Sequence, residues 1–307
     1  MSSARSGSRF AAVLILLAGC KKDAPAPPVE KAEIAEMDKE EPVRPTYPIA
    51  AGAPDPGAAR ICRLIHSLRE ERRVACCGGL PGVSLVELCS GTLTAALAGR
   101  GVELDTAAAD ACEAALSKLY AGCDWVGPLP AALPDPCRKV VRGVLDEGAR
   151  CRSSLECRGD LHCHGASPSQ YGICGPARRA GAGCNRAVDP LAAYLRNDDI
   201  DRERPECQGA CLHNRCVPPV ALGTSCVSPA QCGAGRHCGA GVCVEGAFAR
   251  AGQACTSGGC ESGLRCVGGK CIAPAAGGAA CGSDFDCRGA CLKGDGGARC
   301  GMDCSRR

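Results

Sequence analysis

Hydrophobic and polar positions divide the chain into four stretches. Residues 10–17, Phe-Ala-Ala-Val-Leu-Ile-Leu-Leu, form an unbroken apolar run behind Arg5 and Arg9. From 21 to 57 large apolar side chains almost vanish, and prolines 25, 27, 28, 42, 45, 48, 54 and 56 alternate with Lys and Glu. Helical periodicity begins near 58: Ile61, Leu64, Ile65 and Leu68 fall at i, i+3, i+4 and i+7, one apolar stripe. Ser84 and Glu87 make a capping-box start for a second helix, with Leu85, Leu88, Cys89 and Ala96 inward. Asp105 is the expected N-cap of a third, carrying Cys112, Leu116, Leu119 and Cys123 on one side. Asp135-Pro136 opens a fourth, followed by Cys137, Val140, Val141, Val144 and Leu145. After 147 the periodicity stops. Dense glycine turns leave room only for strands of two to four residues, such as Leu264-Arg265-Cys266 and Lys270-Cys271-Ile272.

Cysteine replaces periodicity in this last stretch. Five times a glycine, two residues and a cysteine open a group of four: Gly148 to Cys151, Gly181 to Cys184, Gly223 to Cys226, Gly252 to Cys255 and Gly278 to Cys281. The groups are Cys151, Cys157, Cys163, Cys174; Cys184, Cys207, Cys211, Cys216; Cys226, Cys232, Cys238, Cys243; Cys255, Cys260, Cys266, Cys271; and Cys281, Cys287, Cys291, Cys300. Opening cysteines recur every 26 to 42 residues, the signature of a tandem array. Units this small cannot fold on apolar burial alone and need cross-links. Four cysteines allow three pairings; adjacent pairing leaves two hairpins untied, which favours first with third and second with fourth.

Composition agrees. Aromatic residues make up 3% of the chain and Trp125 is the sole tryptophan, so its cores must be small. Twenty-nine cysteines in 307 residues is the density of a disulfide scaffold. The formal charge is +3; residues 1–19 hold two arginines and no acid, leaving 34 basic against 33 acidic groups, or +1. A near-neutral chain offers no electrostatic case for nucleic acid.

The run at 10–17 is too short to span a bilayer, which needs about 20 apolar residues, but suits the core of a signal peptide. Leu17-Ala18-Gly19-Cys20 resembles a bacterial lipobox. By that resemblance residues 1–19 are cleaved and Cys20 carries a diacylglycerol, with Lys21 favouring the outer membrane. Residues 20–57 then form an extended tether. Setting Cys20 aside leaves 28 cysteines, an even number, in a chain exported to an oxidising compartment. Seven lie at 62, 76, 77, 89, 112, 123 and 137, and 21 lie from 151 to 304. If all pair, an odd number of bridges must join the two regions. The vicinal Cys76 and Cys77 are expected to bond to two different helices.

Candidate chemistry is sparse. Zinc units favour C-x2-C knuckles, of which the chain has none, and His162-Cys163-His164 has no second ligand pair following. Calcium through Asp198, Asp199 and Asp201 fails the EF-hand pattern because Arg202 stands where its glycine belongs. No metal or cofactor is expected. A G-x-S-x-G elbow is absent, and every array cysteine reads as one half of a bridge, so no catalytic residue emerges. Arg158-Gly159-Asp160 spells an integrin tripeptide at chance frequency. The 22-residue insertion after Cys184 holds Leu191-Ala192-Ala193-Tyr194-Leu195, a turn or two of helix, then Asn197-Asp198-Asp199-Ile200-Asp201. Long loops on repeat arrays often carry binding surfaces, so Tyr194, Asp198, Asp199 and Asp201 are the candidate contact loop.

Cys151-Arg-Ser-Ser-Leu-Glu-Cys157-Arg-Gly-Asp-Leu-His-Cys163, and Cys226 to Cys243 behind a Gly-x-x-Cys, resemble the N-terminal cysteine-rich domain of Dickkopf proteins. That spacing recurs in cysteine-rich lipoproteins of high-GC Gram-negative bacteria. The resemblance spans about residues 148–304, and the vicinal cysteine pair of those domains is missing from every group. It implies a non-catalytic binding scaffold. The expectation is therefore a small disulfide-rich protein with a signal peptide at 1–19 and a lipidated tether at 20–57. A disulfide-stapled helical bundle follows at 58–147, then a five-unit cystine-rich array with little regular structure at 148–307. The expected function is binding of a protein or glycan at the cell envelope, with no small-molecule cofactor. The alternative is a protease inhibitor presenting the loop His164–Ile173.

Overall fold

The computed structural model describes residues 45–48 and 52–305, except 130, 186, 197–199, 201–203, 234, 247, 256–258 and 262. The signal segment, Cys20, most of the tether, and Asp198, Asp199 and Asp201 lie outside the described residues.

Helix α1 (Pro56–His66) starts inside the expected tether because Asp55 caps it: the carboxylate accepts the Ala58 N–H, and Pro56 takes the first turn. Ile61, Cys62 and Leu64 are buried. Ser67 then interrupts the stripe, and Leu68 opens α2 (Leu68–Cys77). In α3 (Val86–Ala98) Cys89, Leu93 and Ala96 point inward. Leu85 and Leu88, expected to be core, are exposed. The bond from Cys89 to Cys62 sets the inward face, and Leu88 lies about 100° around the helix from it. Strand β1 (Val102–Leu104) leads to α4 (Thr106–Leu119), whose first turn is capped by the Asp105 carboxylate at the Ala108 N–H.

The expected fourth helix is only one turn, α5 (Asp135–Arg138). Val141–Gly143 instead forms β2, antiparallel to β1 with Val102 opposite Gly143. Two adjacent valines suit a strand. Gly143 is required by proximity: a Cβ there would lie 2.1 Å from the Cys157 carbonyl oxygen and 2.5 Å from that of Leu155. The helical region thus abuts the first cystine unit backbone to backbone.

Four bridges involve cysteines before 148. Cys62–Cys89 ties α1 to α3, Cys112–Cys137 ties α4 to α5, and Cys76 bonds Cys123 just beyond α4. Cys77 does not go to a second helix. It bonds Cys304 at the far end of the array, across 227 residues.

Within the array each group pairs first with third and second with fourth. Each unit carries one antiparallel hairpin. The first has three strands, β3 (Arg150–Cys151), β4 (His162–His164) and β5 (Gly172–Gly175), in the order β3-β5-β4. The others are β6 (Cys211–Leu212) with β7 (Arg215–Cys216), β8 (Arg236–Gly239) with β9 (Val242–Glu245), β10 (Arg265–Val267) with β11 (Lys270–Ile272), and β12 (Ala290–Gly294) with β13 (Gly297–Gly301). The protein is thus disulfide-rich, with many short strand pairs and few helices.

The repeated glycine has one physical cause. Gly148, Gly181, Gly223, Gly252 and Gly278 all have φ between 76° and 86°. Each donates its N–H to the carbonyl of the last cysteine in its unit, at 2.7–2.8 Å. The N–H of that cysteine returns to the carbonyl after the glycine, as in Cys271 to Gln253 at 2.9 Å. An L side chain at this φ costs about 1–2 kcal/mol. Since a Cβ on Gly252 meets nothing within 4 Å, Gly252→Ala isolates that cost. Its thermal midpoint is expected to fall by an amount equivalent to about 1–2 kcal/mol. An unchanged midpoint would show that the opening turn is not under backbone constraint.

The fifth unit folds back onto the helical region. Arg288 donates to the Leu119 carbonyl at 2.7 Å and pairs with Asp124 at 3.2 Å. The Asp303 N–H reaches the Val126 carbonyl. A Cβ on Gly289 would lie 2.5 Å from the Asp124 carbonyl oxygen, so these backbones touch. Trp125 is buried here against Tyr120, ring centroids 4.8 Å apart.

Candidate functional site

The expected contact region turns inward in its described part. Leu191 leads into the single turn of α6 (Ala192–Leu195), and Leu191, Ala192 and Leu195 join the same apolar core as α1, α3 and α4. Tyr194 is half-buried, its ring edge-on to His66 and its carbonyl accepting the His66 Nε2–H at 2.9 Å. Tyr194 therefore packs partly against this core, with the rest of its side chain at the surface. A run of apolar residues in a chain with few of them is drawn to its largest apolar core.

Asp189 anchors this insertion. Its carboxylate accepts the Ser153 hydroxyl at 2.5 Å and the Ser154 N–H at 2.7 Å, and also caps Ala192. Beside it lies a buried ion pair, Arg152 with Glu156. Glu156 is 1% exposed and accepts the Arg152 N–H at 2.7 Å and its Nε–H at 2.8 Å. The same carboxylate flanks Tyr47, whose ring is stacked by the Arg152 guanidinium at 4.4 Å. Burial, then the Glu156 charge, raises the Tyr47 pKa and keeps the phenol neutral. Thr46 is 2% exposed, its N–H and hydroxyl donating to the Pro168 carbonyl. The tether expected over 20–57 thus does not extend to its C-terminal part: Pro45–Pro48 is strapped onto the first cystine unit.

That strap lands on the loop expected to be inhibitory. Within His164–Ile173 the carbonyls of Ser167 and Pro168 accept Thr46, and Tyr171 lies under the Arg150 guanidinium at 4.0 Å. Thr46 thus braces the loop at Ser167 and Pro168, while Ser169, Gln170 and Tyr171 stay exposed.

Of the array cysteines, Cys151, Cys157, Cys163, Cys174, Cys226, Cys232, Cys238, Cys243, Cys255, Cys271, Cys287 and Cys300 are buried, and Cys260, Cys266, Cys281 and Cys291 are partly buried. Triplets such as Cys151, Cys157 and Cys163 have sulfurs within 4.8 Å of one another, but all are disulfide-bonded and present no thiolate to a metal. His162 and His164 stand 5.1 Å apart, and each gives a ring N–H to a backbone carbonyl, of Arg204 and Pro176 respectively. Burial lowers the His164 pKa. These rings tie β4 to the backbone at Arg204 and Pro176.

A cleft of about 660 Å³ opens between β1, β2 and the first unit. Its charges are largely engaged. Arg142 pairs with Glu103, Asp105 caps α4, and Arg204 donates to the carbonyls of Ser154 and Cys157. No nucleophile–base pair among the described residues faces it.

One surface segment differs from all of these. Residues 78–85, between α2 and α3, are all exposed, and Leu80 and Val83 are 84% and 98% exposed. Yet the backbone is strapped: the Glu70 carboxylate accepts the Gly82 N–H at 2.8 Å, and Arg73 donates to the Leu80 carbonyl at 3.3 Å. Helical periodicity gives no reason to single it out. The signal was present in Gly78-Gly79-Leu80-Pro81-Gly82-Val83, where apolar residues interrupt a glycine-rich turn. Compared with known protein families, characterised proteins and solved structures, the chain matches none.

Proposed function

We propose that the chain is a non-catalytic cysteine-rich lipoprotein of the bacterial envelope, anchored through Cys20 in the outer membrane and binding a protein or glycan partner. Its helical part, 58–147, acts as a disulfide-stapled bundle that carries a Dickkopf-like array at 148–307. The observation that carries this reading is the parity of the cysteines. Fourteen bridges use 28 cysteines, and of the 29 in the sequence Cys20 alone stands outside them. Bridges at that density belong to an oxidising compartment outside the cytoplasm. A cysteine left over beside an apolar export segment suits lipid attachment. No helix among the described residues is long and apolar enough to cross a membrane, so membrane association in this reading runs through the lipid. No cofactor and no nucleic acid belong to it.

The test combines mass and fractionation. Intact protein alkylated without reduction is expected to carry no alkyl group on the 28 array and helical cysteines, and a diacylglycerol-sized increment on Cys20. Cys20→Ser is expected to leave the membrane fraction for the periplasm with all bridges intact. Free thiols, or a Cys20→Ser chain that stays with the membrane, would overturn the reading.

A further inference from the structure

Thirteen of the fourteen bridges close spans of 9 to 47 residues, each inside one cystine unit or inside the helical region. Cys77–Cys304 closes 227 residues and joins the two regions. Exposure separates it as well. Cys304 is exposed, and every other bridged cysteine is buried or half-buried. Its place in the fold is the third difference. Strand β13 ends at Gly301, so Cys304 lies on an irregular stretch beyond the last hairpin, with Met302 also exposed. A bridge that only braces a unit is enclosed by it, as Cys157–Cys174 is, at 0% and 1% exposed.

We propose that Cys77–Cys304 is a redox-sensitive latch, opened by an external dithiol ahead of every other bridge and closed again by an external disulfide. Two physical effects select it. Thiol–disulfide exchange requires a thiolate to reach a bridge sulfur, so access decides which bridge reacts, and the Cys304 end is the reachable one. Reclosure is the second effect. A short loop returns its freed cysteines to each other at high effective concentration. Across 227 residues they meet only while the fifth unit stays docked.

The exchange runs in two displacements. One thiolate of the dithiol attacks the Cys304 sulfur: a bond forms between them, the Cys77–Cys304 bond breaks, and Cys77 leaves as a thiolate that takes up a proton. The reagent's second thiol gives up its proton and attacks the reagent sulfur of this mixed disulfide. That closes the reagent's own disulfide and releases Cys304, which is protonated in turn. Two electrons pass to the bridge, and the dithiol is oxidised.

What the latch holds is a thin interface. The Arg288–Asp124 pair leaves its side chains 31% and 29% exposed, so water competes for both charges. Gly289 lies against the Asp124 and Val126 carbonyls with no side chain of its own to bury. The fifth unit is gripped from the other side by the fourth, where Arg265 donates to the Asp284 and Cys287 carbonyls, so opening moves it with the array and away from the helical region. Between Asp124 and Val126 stands Trp125, the sole tryptophan, 4% exposed. Opening bares this stretch, and Trp125 reports it. Such local release leaves the remaining cross-linked structure folded.

The test treats the full oxidised chain with graded dithiothreitol without denaturant, followed by alkylation, peptide mass mapping and Trp125 fluorescence. Cys77 and Cys304 are expected to be alkylated together, about 10-fold faster or more than any other bridged pair. In the same phase Trp125 emission should move to longer wavelength. Replacing dithiothreitol by oxidised glutathione should restore both the bridge and the emission. Cys77→Ser with Cys304→Ser should show the shifted emission before any reductant and lack the fast phase. The wild-type measurements decide the matter without that variant. Reduction of another bridge first, or of all fourteen in one phase, would overturn the proposal. First-phase alkylation at Cys76 or Cys123 would do the same, because the freed Cys77 thiolate would then be exchanging with the neighbouring bridge. Selective reduction that leaves Trp125 emission unchanged would show a bridge that latches nothing. The proposal uses neither the Cys20 anchor nor the identity of a binding partner, so it can fail while the scaffold reading stands.

Discussion

Cys77→Ser combined with Cys304→Ser is expected to lower the thermal midpoint by about 10 °C, with the other thirteen bridges formed. This bridge closes a 227-residue span, the longest in the protein. For an otherwise unlinked chain, loop-closure entropy gives it about 5 kcal/mol. The remaining bridges shorten the covalent path around the loop, so about 3–4 kcal/mol is expected here. The loss should also be local. Once the tie is gone, the fifth unit keeps Arg288 with Asp124 and Leu119, the close backbone contact of Gly289, and the Asp303 N–H as contacts to the helical region. Exchange at the Asp303 amide should therefore accelerate far more than at Cys271, which lies inside the fourth unit. A midpoint shift under about 2 °C would mean that the docked interface, and not the bridge, closes the structure.

Glu156→Ala is expected to cost about 3–5 kcal/mol, the penalty for stranding one member of a buried ion pair. Glu156 is almost wholly enclosed and Arg152 is 12% exposed on its side chain, so water cannot readily replace the lost carboxylate. The variant also abandons the Arg152 N–H and leaves a void against Gly101, whose backbone packs on the Glu156 side chain. Glu156→Gln retains shape and a hydrogen-bond acceptor and should cost about 1–2 kcal/mol. A second readout separates this from general destabilisation. Tyr47 is held between Arg152 and Glu156, so Glu156→Ala should free the Pro45–Pro48 strap and expose Tyr47 to chymotryptic cleavage under conditions where the array stays intact. Equal resistance at Tyr47 in both proteins would sink the idea that this pair holds the strap.

Much of the architecture was legible in spacing alone. The Gly-x-x-Cys repeat marks the array because each unit needs one left-handed turn, and only glycine takes that turn without strain. Parity demanded an odd number of bridges between the cysteines before 148 and those after, and Cys77–Cys304 is such a bridge. Asp105 was readable as a cap because capping is a contact between residues three apart in sequence. What failed did so where the competing interaction was distant. Val140 and Val141 fit a helical stripe, but β1 lay alongside and the first cystine unit sat against Gly143. Leu88 matched the stripe of α3 until the Cys62–Cys89 bridge chose the neighbouring face.

The candidate site divides the same way. Tyr194 stood out as an aromatic residue in a long insertion, but only the folded chain revealed the shared core it joins. Glu156 and Arg152 look like ordinary surface charges between cysteines, and Thr46 and Tyr47 like the end of a tether. Nothing within a few residues of them announces that they meet. The straps on Leu80 and Gly82 come from α2, from two side chains one turn apart, and no periodicity connects them to the loop. Residue spacing decides how each small unit is built, because its turns and bridges are local. Which units touch, which loop stays exposed and which is covered depend on surfaces meeting through space, and in a chain so poor in regular elements the tertiary structure alone settles them.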